Sequence, residues 1–217
     1  MNTIRAYTLG EEIFSSVVHG IGALLGVVAL SVLVTLSSIY GNVWGIVASA
    51  IFGASIILMY SASTVYHSIT NERAKKILKK FDHISIYYLI AGSYTPFLLV
   101  PLRGTTGWIV FGFIWGAAFL GTILKLVLPA NGAKLWSIGL YVGMGWAVIL
   151  VSKQLFSVLP TASIVFLVLG GLFYTFGVFF YLWKSRKYTH SIWHCFVLAG
   201  TIMHFFAVLF SCIFIHI

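Results

Sequence analysis

Long apolar runs separated by short polar breaks fill the chain almost from end to end. Each run has about 20 residues or more, which is the length an α-helix needs to cross a hydrocarbon layer ~30 Å thick. The pattern therefore predicts an all-α integral membrane protein, a bundle of seven transmembrane helices that forms one domain. The predicted spans are approximately 16–38, 44–68, 82–101, 107–127, 134–153, 162–183 and 191–214.

The breaks between these runs carry turn-forming or basic residues. Glycine, proline and asparagine mark turns, and a cluster of charges favours water over lipid. Before the first span, residues 3–14 are predicted to form a short helix at the membrane interface. The six breaks are 40–42, 70–80, 101–104, 128–132, 159–160 and 184–187.

The composition agrees with a membrane protein. Hydrophobic residues make up 60% of the 217 positions and charged residues only 8%, with a mean hydropathy of +1.04. Such a chain has too few charges to cover the surface of a soluble domain. The first apolar run lacks a small-residue cleavage site, so we do not expect it to be a cleaved signal peptide.

The basic residues fall in alternate connections. The formal net charge is +9, but basic and aromatic residues are not interleaved as they are in nucleic-acid-binding segments, so no nucleic acid partner is expected. Eleven of the thirteen Lys and Arg residues lie at the N-terminus or in the second, fourth and sixth connections, and Arg103 and Lys153 are the other two. Positive residues stay in the cytoplasm. We therefore predict a multi-pass protein of the cell membrane, in bacteria the plasma membrane, with its N-terminus inside and its C-terminus outside.

Three pairs of glycines lie four residues apart, and each pair faces one side of a predicted helix. Small residues at this spacing let two helices approach closely in lipid. We interpret all three pairs as contacts that pack the bundle. They are Gly22 and Gly26, Gly112 and Gly116, and Gly139 and Gly143.

Unusual polar residues gather at one end of the predicted bundle. Because the helices alternate in direction, the end of the second span and the starts of the first, third and seventh lie at the cytoplasmic face. Each polar residue alone is compatible with a hydrogen-bonded interior position, but ionisable groups within spans usually face the bundle interior, a partner or a cavity. The residues concerned are Glu12, Ser15 and His19, Ser63 and His67, Asp82, and His190 and His194.

Three of these residues are predicted to bind a metal ion. His190 and His194, four positions apart, share one helix face, and His67 reaches the same depth from another helix. Three imidazoles with one open position are typical of catalytic zinc sites. We therefore predict a Zn²⁺ site at His67, His190 and His194, although imidazoles also bind other divalent metals.

Asp82 and Ser63 are the predicted catalytic residues. Asp82 is expected either to act as a general base on a water molecule or to accept a hydrogen bond from a ligand histidine. The alternative for Asp82 is an ion pair with Lys79 or Lys80 at the start of its helix. Ser63, one turn before His67, is expected to donate a hydrogen bond to a developing oxyanion or to a water at the metal.

Four other residues are predicted to lie outside this site. His83 should point about 100° away from Asp82, and His204 lies about 15 Å beyond His194 along the helix axis. Cys195 should face away from His194. His216 belongs to the C-terminal tail.

The ordered motifs resemble the hemolysin III family, the bacterial branch of the progestin and adipoQ receptors, in a superfamily that also contains alkaline ceramidases. The resemblance covers nearly the whole chain, although Ser15 stands where many relatives have asparagine. It implies seven helices, a cytoplasmic N-terminus and zinc near the inner leaflet, held by the same three histidines. The motifs are Glu12-x2-Ser15-x3-His19-Gly20, Ser63-x3-His67, Asp82, Ala91-Gly92-Ser93-Tyr94-Thr95-Pro96 and His190-x3-His194.

The resemblance implies more than one class of function. The receptor and ceramidase relatives suggest a zinc-dependent hydrolase that acts on a lipid amide or ester, with membrane lipids as partners. The name hemolysin suggests instead a cytolytic, pore-forming protein, which could act as an oligomer. A third interpretation is a receptor-like regulator of the membrane in which the zinc is structural. Fold alone does not choose among them.

Overall fold

The computed structural model describes residues 7–128, 130–183 and 185–212. Within these ranges the chain is all-helical, with eight α-helices and one 3₁₀ segment at Ala147–Val151. The α-helices are α1 Leu9–Tyr40, α2 Val43–Ser68, α3 Glu72–Leu99, α4 Thr105–Val127, α5 Ala130–Trp146, α6 Ser152–Val158, α7 Thr161–Leu182 and α8 Thr189–Cys212.

Six segments in the described part of the chain are long and apolar enough to cross a membrane. They comprise α1, α2, α4, α7, most of α8, and the continuous stretch Trp136–Val158, which includes most of α5 together with the 3₁₀ segment and α6. The remaining long helix, α3, begins with five basic residues in its first nine positions. Its second half, from Asp82 onward, is mostly buried against its neighbours.

Helix α1 begins earlier than the first predicted span. Thr8 caps it: its hydroxyl accepts a hydrogen bond from the backbone N–H of Glu11, and the Glu11 carboxylate accepts one from the backbone N–H of Thr8. This reciprocal capping box satisfies two backbone donors at the helix start. The separate interfacial helix predicted at residues 3–14 is therefore wrong for residues 9–14, which are the first turns of α1, and residues 3–6 lie outside the described ranges.

The break predicted at residues 70–80 is also wrong in its extent. Helix α3 begins at Glu72, because the side chain of Asn71 accepts hydrogen bonds from the backbone N–H groups of Arg73 and Ala74. The basic residues that follow Glu72 do not prevent the helix from forming, because lysine and arginine are good helix formers. This helical start brings Lys75 to the same end of the bundle as the polar residues of α1 and α2.

The glycine pairs divide into two kinds. A Cβ atom on Gly22 would overlap the ring of Tyr60, and one on Gly26 would lie 2.8 Å from Cγ2 of Ile56, so this pair packs α1 against α2 as predicted. The prediction is wrong for the other two pairs. A Cβ atom added to any of these four glycines would have no neighbouring atom within 4 Å among the described residues. The four are Gly112, Gly116, Gly139 and Gly143.

The stretch predicted as one helix at 134–153 is interrupted. After α5 the backbone tightens into the 3₁₀ segment before α6 continues to Val158. The phenol of Tyr94 on α3 donates to the carbonyl of Gly145 at 2.9 Å and accepts from the N–H of Val148 at 2.8 Å. Tyr94 therefore satisfies backbone groups freed by the interruption, as apolar surroundings require.

Tyr94→Phe should lower the thermal stability of the protein. Removing the phenol leaves a carbonyl and an N–H without their side-chain partner, which costs about 1–3 kcal/mol for each buried unsatisfied group. We expect a melting temperature lower by several degrees in detergent, measured by circular dichroism. Tyr40→Phe, at the exposed end of α1, is the control and should melt as the wild type does; equal melting of all three proteins would contradict this role.

Candidate metal centre

Three imidazoles from two helices meet at one end of the bundle. His67 lies in the last turn of α2, and His190 and His194 lie in the first turns of α8. One ring nitrogen from each lies within 4.8 Å of the others. His67 and His194 are buried, whereas His190 is half-buried. The structure thus brings together the three histidines that the sequence singles out, although their role as metal ligands stays a prediction.

Helix α1 adds a carboxylate to the cluster. Oε2 of Glu12 lies 2.6 Å from Nδ1 of His67. Because a carboxylate only accepts hydrogen bonds, Nδ1 of neutral His67 donates and its Nε2 presents a lone pair to the centre. An acceptor behind a ligand imidazole orients the ring and makes the ligand nitrogen more basic.

Helix α1 also adds a fourth imidazole. Nε2 of His19 lies 2.6 Å from Nδ1 of His194, and both side chains are buried. Nε2 of His194 in turn lies 3.1 Å from Nε2 of His67. The helical spacing places His19 on the correct helix face but does not reveal its partner, because its contact with α8 joins residues 175 positions apart.

Two arrangements of protons fit these distances. In one, His19 donates to His194 and His194 donates to His67, which gives a continuous chain of hydrogen bonds. In the other, His194 donates to His19, and the Nε2 atoms of His194 and His67 direct two lone pairs at each other across 3.1 Å. The second arrangement requires a positive charge between the rings.

The three histidines could hold a metal ion, and two of their nitrogens have a separation suited to zinc. Zn–N bonds of ~2.0–2.1 Å in a tetrahedral site hold two ligand nitrogens about 3.3 Å apart, close to the separation of the His67 and His194 nitrogens. Each of these two imidazoles already has a partner for its other nitrogen. The arrangement therefore contains nitrogens that could bind a metal ion and groups that would orient them.

Ser63 and Asp82 are buried beside this cluster. The Ser63 hydroxyl lies one turn before His67 and, among the described residues, has no hydrogen-bond partner. Buried hydroxyls are normally paired, so a partner from outside the chain fits here. Asp82 is 4% exposed and interacts electrostatically with His67 and His19.

The local partner of Asp82 is a histidine. Nδ1 of His83 lies 3.4 Å from Oδ2 of Asp82 and donates to the carbonyl of Lys79 at 2.7 Å. In the described part of the chain Asp82 makes no ion pair with Lys79 or Lys80, so that predicted alternative is wrong. His83, which was predicted to point about 100° away from Asp82, nevertheless reaches the Asp82 carboxylate, because its ring turns back over the preceding turn of α3.

Tyr7 covers the cluster from the segment before α1. Its ring stacks on that of His190, with centroids 4.7 Å apart and planes at 17°. Burial raises the pKa of the Tyr7 phenol above its ordinary value, so the group keeps its proton and can donate a hydrogen bond. Tyr7 lies outside the predicted spans and was therefore not predicted to belong to the site.

Short polar contacts fix the start of α1 against the start of α8. The hydroxyls of Ser15 and Ser191 lie 3.1 Å apart. Oε1 of Glu11 accepts a hydrogen bond of 2.7 Å from the N–H of Tyr188, whose φ of 62° places it in the left-handed region. Ser15 therefore serves as part of an interhelix contact.

His204 and Cys195 lie outside the cluster. Both ring nitrogens of His204 are buried without a partner among the described residues, and its edge meets the Tyr174 ring. Cys195 is exposed, in agreement with the prediction that it faces away from His194. His216 and the side chain of Cys212 lie outside what the structure describes.

A cleft of about 540 Å³ leads to the cluster from the bundle end. It lies between the start of α1 and the connection from α2 to α3. Its apolar wall is on α1, and its polar wall includes Glu12, His67 and Lys75. The cleft therefore offers an amphiphilic molecule contact with both lipid-like and polar surfaces.

The chain matches known proteins along most of its length. Residues 7–205 match the family described as haemolysin-III related. The chain is 44% identical to the hemolysin-3 homolog of Bacillus subtilis (strain 168) over 207 residues, which cover 95% of this chain and 97% of that protein. It is 41% identical to hemolysin-3 of Bacillus cereus over 200 residues, covering 92% and 91%.

A human protein is also similar. The chain is 30% identical to the monocyte to macrophage differentiation factor of Homo sapiens over 177 residues, covering 76% of this chain and 70% of that protein. The resemblance inferred from the polar motifs is thus confirmed over the same regions that build the cluster. The chain belongs to the haemolysin-III related family and is a multi-pass membrane protein, of the kind that in bacteria resides in the plasma membrane.

Proposed function

We propose that this protein is a zinc-dependent intramembrane hydrolase that cleaves a lipid amide or ester. The observation that carries the proposal is the meeting of three imidazoles beside a buried carboxylate and an unpaired buried hydroxyl. Metal, water, acid–base group and oxyanion donor are the parts that hydrolysis of an acyl group requires. A purely structural metal site requires neither the acid–base group nor the oxyanion donor.

His67, His190 and His194 would hold the ion. Bound there with one coordination position open, zinc would act as a Lewis acid and lower the pKa of a water molecule toward about 7. Glu12 and His19 hold the rings of His67 and His194 in the orientation that ligation needs.

Asp82 and Ser63 would act on the reacting groups. Asp82 accepts the proton of the attacking water and returns it to the departing amine or alcohol. Ser63 donates its hydroxyl hydrogen to the oxygen on which negative charge develops. Tyr7, which keeps its proton and stacks on His190, would donate a hydrogen bond to the substrate at the mouth of the site.

A lipid substrate suits the proposed topology. Taking the second half of α3 as a further span, and the stretch from α5 to α6 as one, gives seven crossings. Eleven of the thirteen basic residues then lie on one side, so the N-terminus is cytoplasmic and the histidines lie near the inner leaflet. The cleft beside α1 would admit the polar end of a lipid from that leaflet.

Asp82→Asn should abolish most hydrolysis while leaving the metal bound. Loss of a general acid–base group typically lowers the rate by about 10²–10⁴-fold. The measurement is release of fatty acid from a panel of amide and ester lipids by purified protein in nanodiscs, with zinc content determined on the same samples. Glu72→Gln, an exposed carboxylate at the start of α3, is the control and should keep full activity. Hydrolysis that survives both chelation and the Asp82 change would overturn the proposal.

Cytolysis is the second candidate function, because a relative that is 41% identical is named hemolysin-3. A pore would release dye from liposomes that contain the purified protein. Leakage that is independent of zinc and unchanged in the histidine variants, without lipid cleavage, would favour this function. A receptor-like regulator would instead retain zinc through a fourth protein ligand and cleave no lipid.

A further inference from the structure

Lys75 is held in place by three separate groups. Its Nζ lies 2.8 Å from Oε1 of Glu12 and donates to the carbonyl of Ile69 at 3.2 Å. The same ammonium lies 5.4 Å from the centre of the Tyr66 ring, a distance at which cations are attracted to aromatic faces. One lysine of α3 therefore contacts α1, the end of α2 and the residue that follows α2.

The two oxygens of Glu12 have different partners. Oε1 faces Lys75, and Oε2 faces Nδ1 of His67 at 2.6 Å. A carboxylate that binds a different partner through each oxygen cannot rotate freely. The ion pair with Lys75 therefore fixes the direction from which Oε2 accepts the hydrogen bond of the imidazole. The Glu12 side chain is 15% exposed and that of Lys75 is 27% exposed.

An ordinary surface ion pair would matter little. Exposed pairs contribute about 0–1 kcal/mol, because water screens them and two long side chains lose freedom. Here the carboxylate is mostly buried next to a histidine, and the lysine has further partners in Ile69 and Tyr66. Without Lys75, Glu12 would have to be held by His67 alone or turn toward the cleft.

We propose that Lys75 is a positioning residue of the metal centre, which acts through Glu12 to hold His67 in the tautomer and orientation that bind the ion. The inference rests on the proposed metal site. Lys75 does not touch the ion, and its effect passes through the Glu12 carboxylate. Among the residues that the structure describes, Lys75 is the basic residue of α3 that pairs with Glu12, and Lys76 is exposed.

Lys75→Gln should weaken zinc binding by about 10–100-fold, the usual effect of losing a group that orients a metal ligand. Affinity is measured by competition with a chelator on the full-length protein in detergent. Lys76→Gln, at the next position, should bind zinc as the wild type does. Lys75→Arg should restore most of the affinity, because arginine supplies a cation of similar reach.

A double variant separates this role from general destabilisation. Glu12→Gln should weaken zinc binding to a similar degree, and Lys75→Gln added to it should cause almost no further loss, because both changes break the same contact. Additive losses, or zinc affinity unchanged in Lys75→Gln, would overturn the inference.

Nuclear magnetic resonance of metal-free protein tests the inference without the ion. With ¹⁵N-labelled histidine, His67 should carry its proton on Nδ1 in the wild type and lose that preference in Lys75→Gln. If the wild type binds no zinc but the His67 signal depends on Lys75, the proposed function fails while the positioning contact stands. If zinc binds and neither affinity nor signal responds to Lys75, the positioning role alone fails.

Discussion

His194→Ala should leave the protein without a tightly bound metal ion. His194 is buried and contacts both His67 and His19, so its removal takes away one proposed ligand and the partner of two other imidazoles. Zinc binding energies of about 10–16 kcal/mol, shared among three protein ligands, imply a loss on the order of 3–5 kcal/mol. That is a weakening of roughly 150- to 4,000-fold.

The measurement is zinc content per chain after purification, followed by chelator competition. Cys195→Ala is the matched control, because Cys195 is the next residue, is exposed and is itself a possible soft ligand. It should retain the wild-type zinc content. Circular dichroism would establish that both variants keep their helices. One equivalent of zinc bound by His194→Ala with unchanged affinity would show that the cluster is not a metal site.

Gly22→Leu should destabilise the fold and disturb the histidine cluster. A side chain at position 22 would overlap the ring of Tyr60, which is fully buried and whose hydroxyl is hydrogen-bonded to Thr201 at 2.8 Å. The Tyr60 ring also packs edge-to-face with His19, with centroids 4.8 Å apart. Overpacking costs about 1–3 kcal/mol, and displacement of Tyr60 should weaken zinc binding through His19.

Gly112→Leu is the control for this change. It alters a glycine of the same four-residue spacing, but position 112 has nothing within 4 Å among the described residues. We expect a melting temperature lower by roughly 2–12 °C for Gly22→Leu and unchanged for Gly112→Leu. Equal melting temperatures, with zinc affinity unaltered in both, would contradict the assigned packing of α1 on α2.

The helical period and the alternating direction of the helices were enough to predict which polar residues lie at the same end of the bundle. The spacing of His190 and His194 places them on one face. No predicted crossing separates His67 from Asp82, and an even number, four, separates His67 from His190, so these residues return to one end of the bundle. The partners of Glu12 and His19 were not predictable, because each contact joins side chains more than fifty positions apart. Tyr7 and Lys75 were missed for a different reason: both lie in segments that had been assigned to the interface or to a connection.

By itself the sequence determined that this chain is helical, apolar enough to span a membrane many times, and polar at one end of its helices. The contacts between helices were needed to tell which glycine pair packs and which groups hydrogen-bond to the histidines. The physical reason is that lipid is as apolar as the interior of the bundle. The apolar pattern therefore gives the length of each helix but does not distinguish its buried face from its lipid-facing one, which the contacts between helices decide.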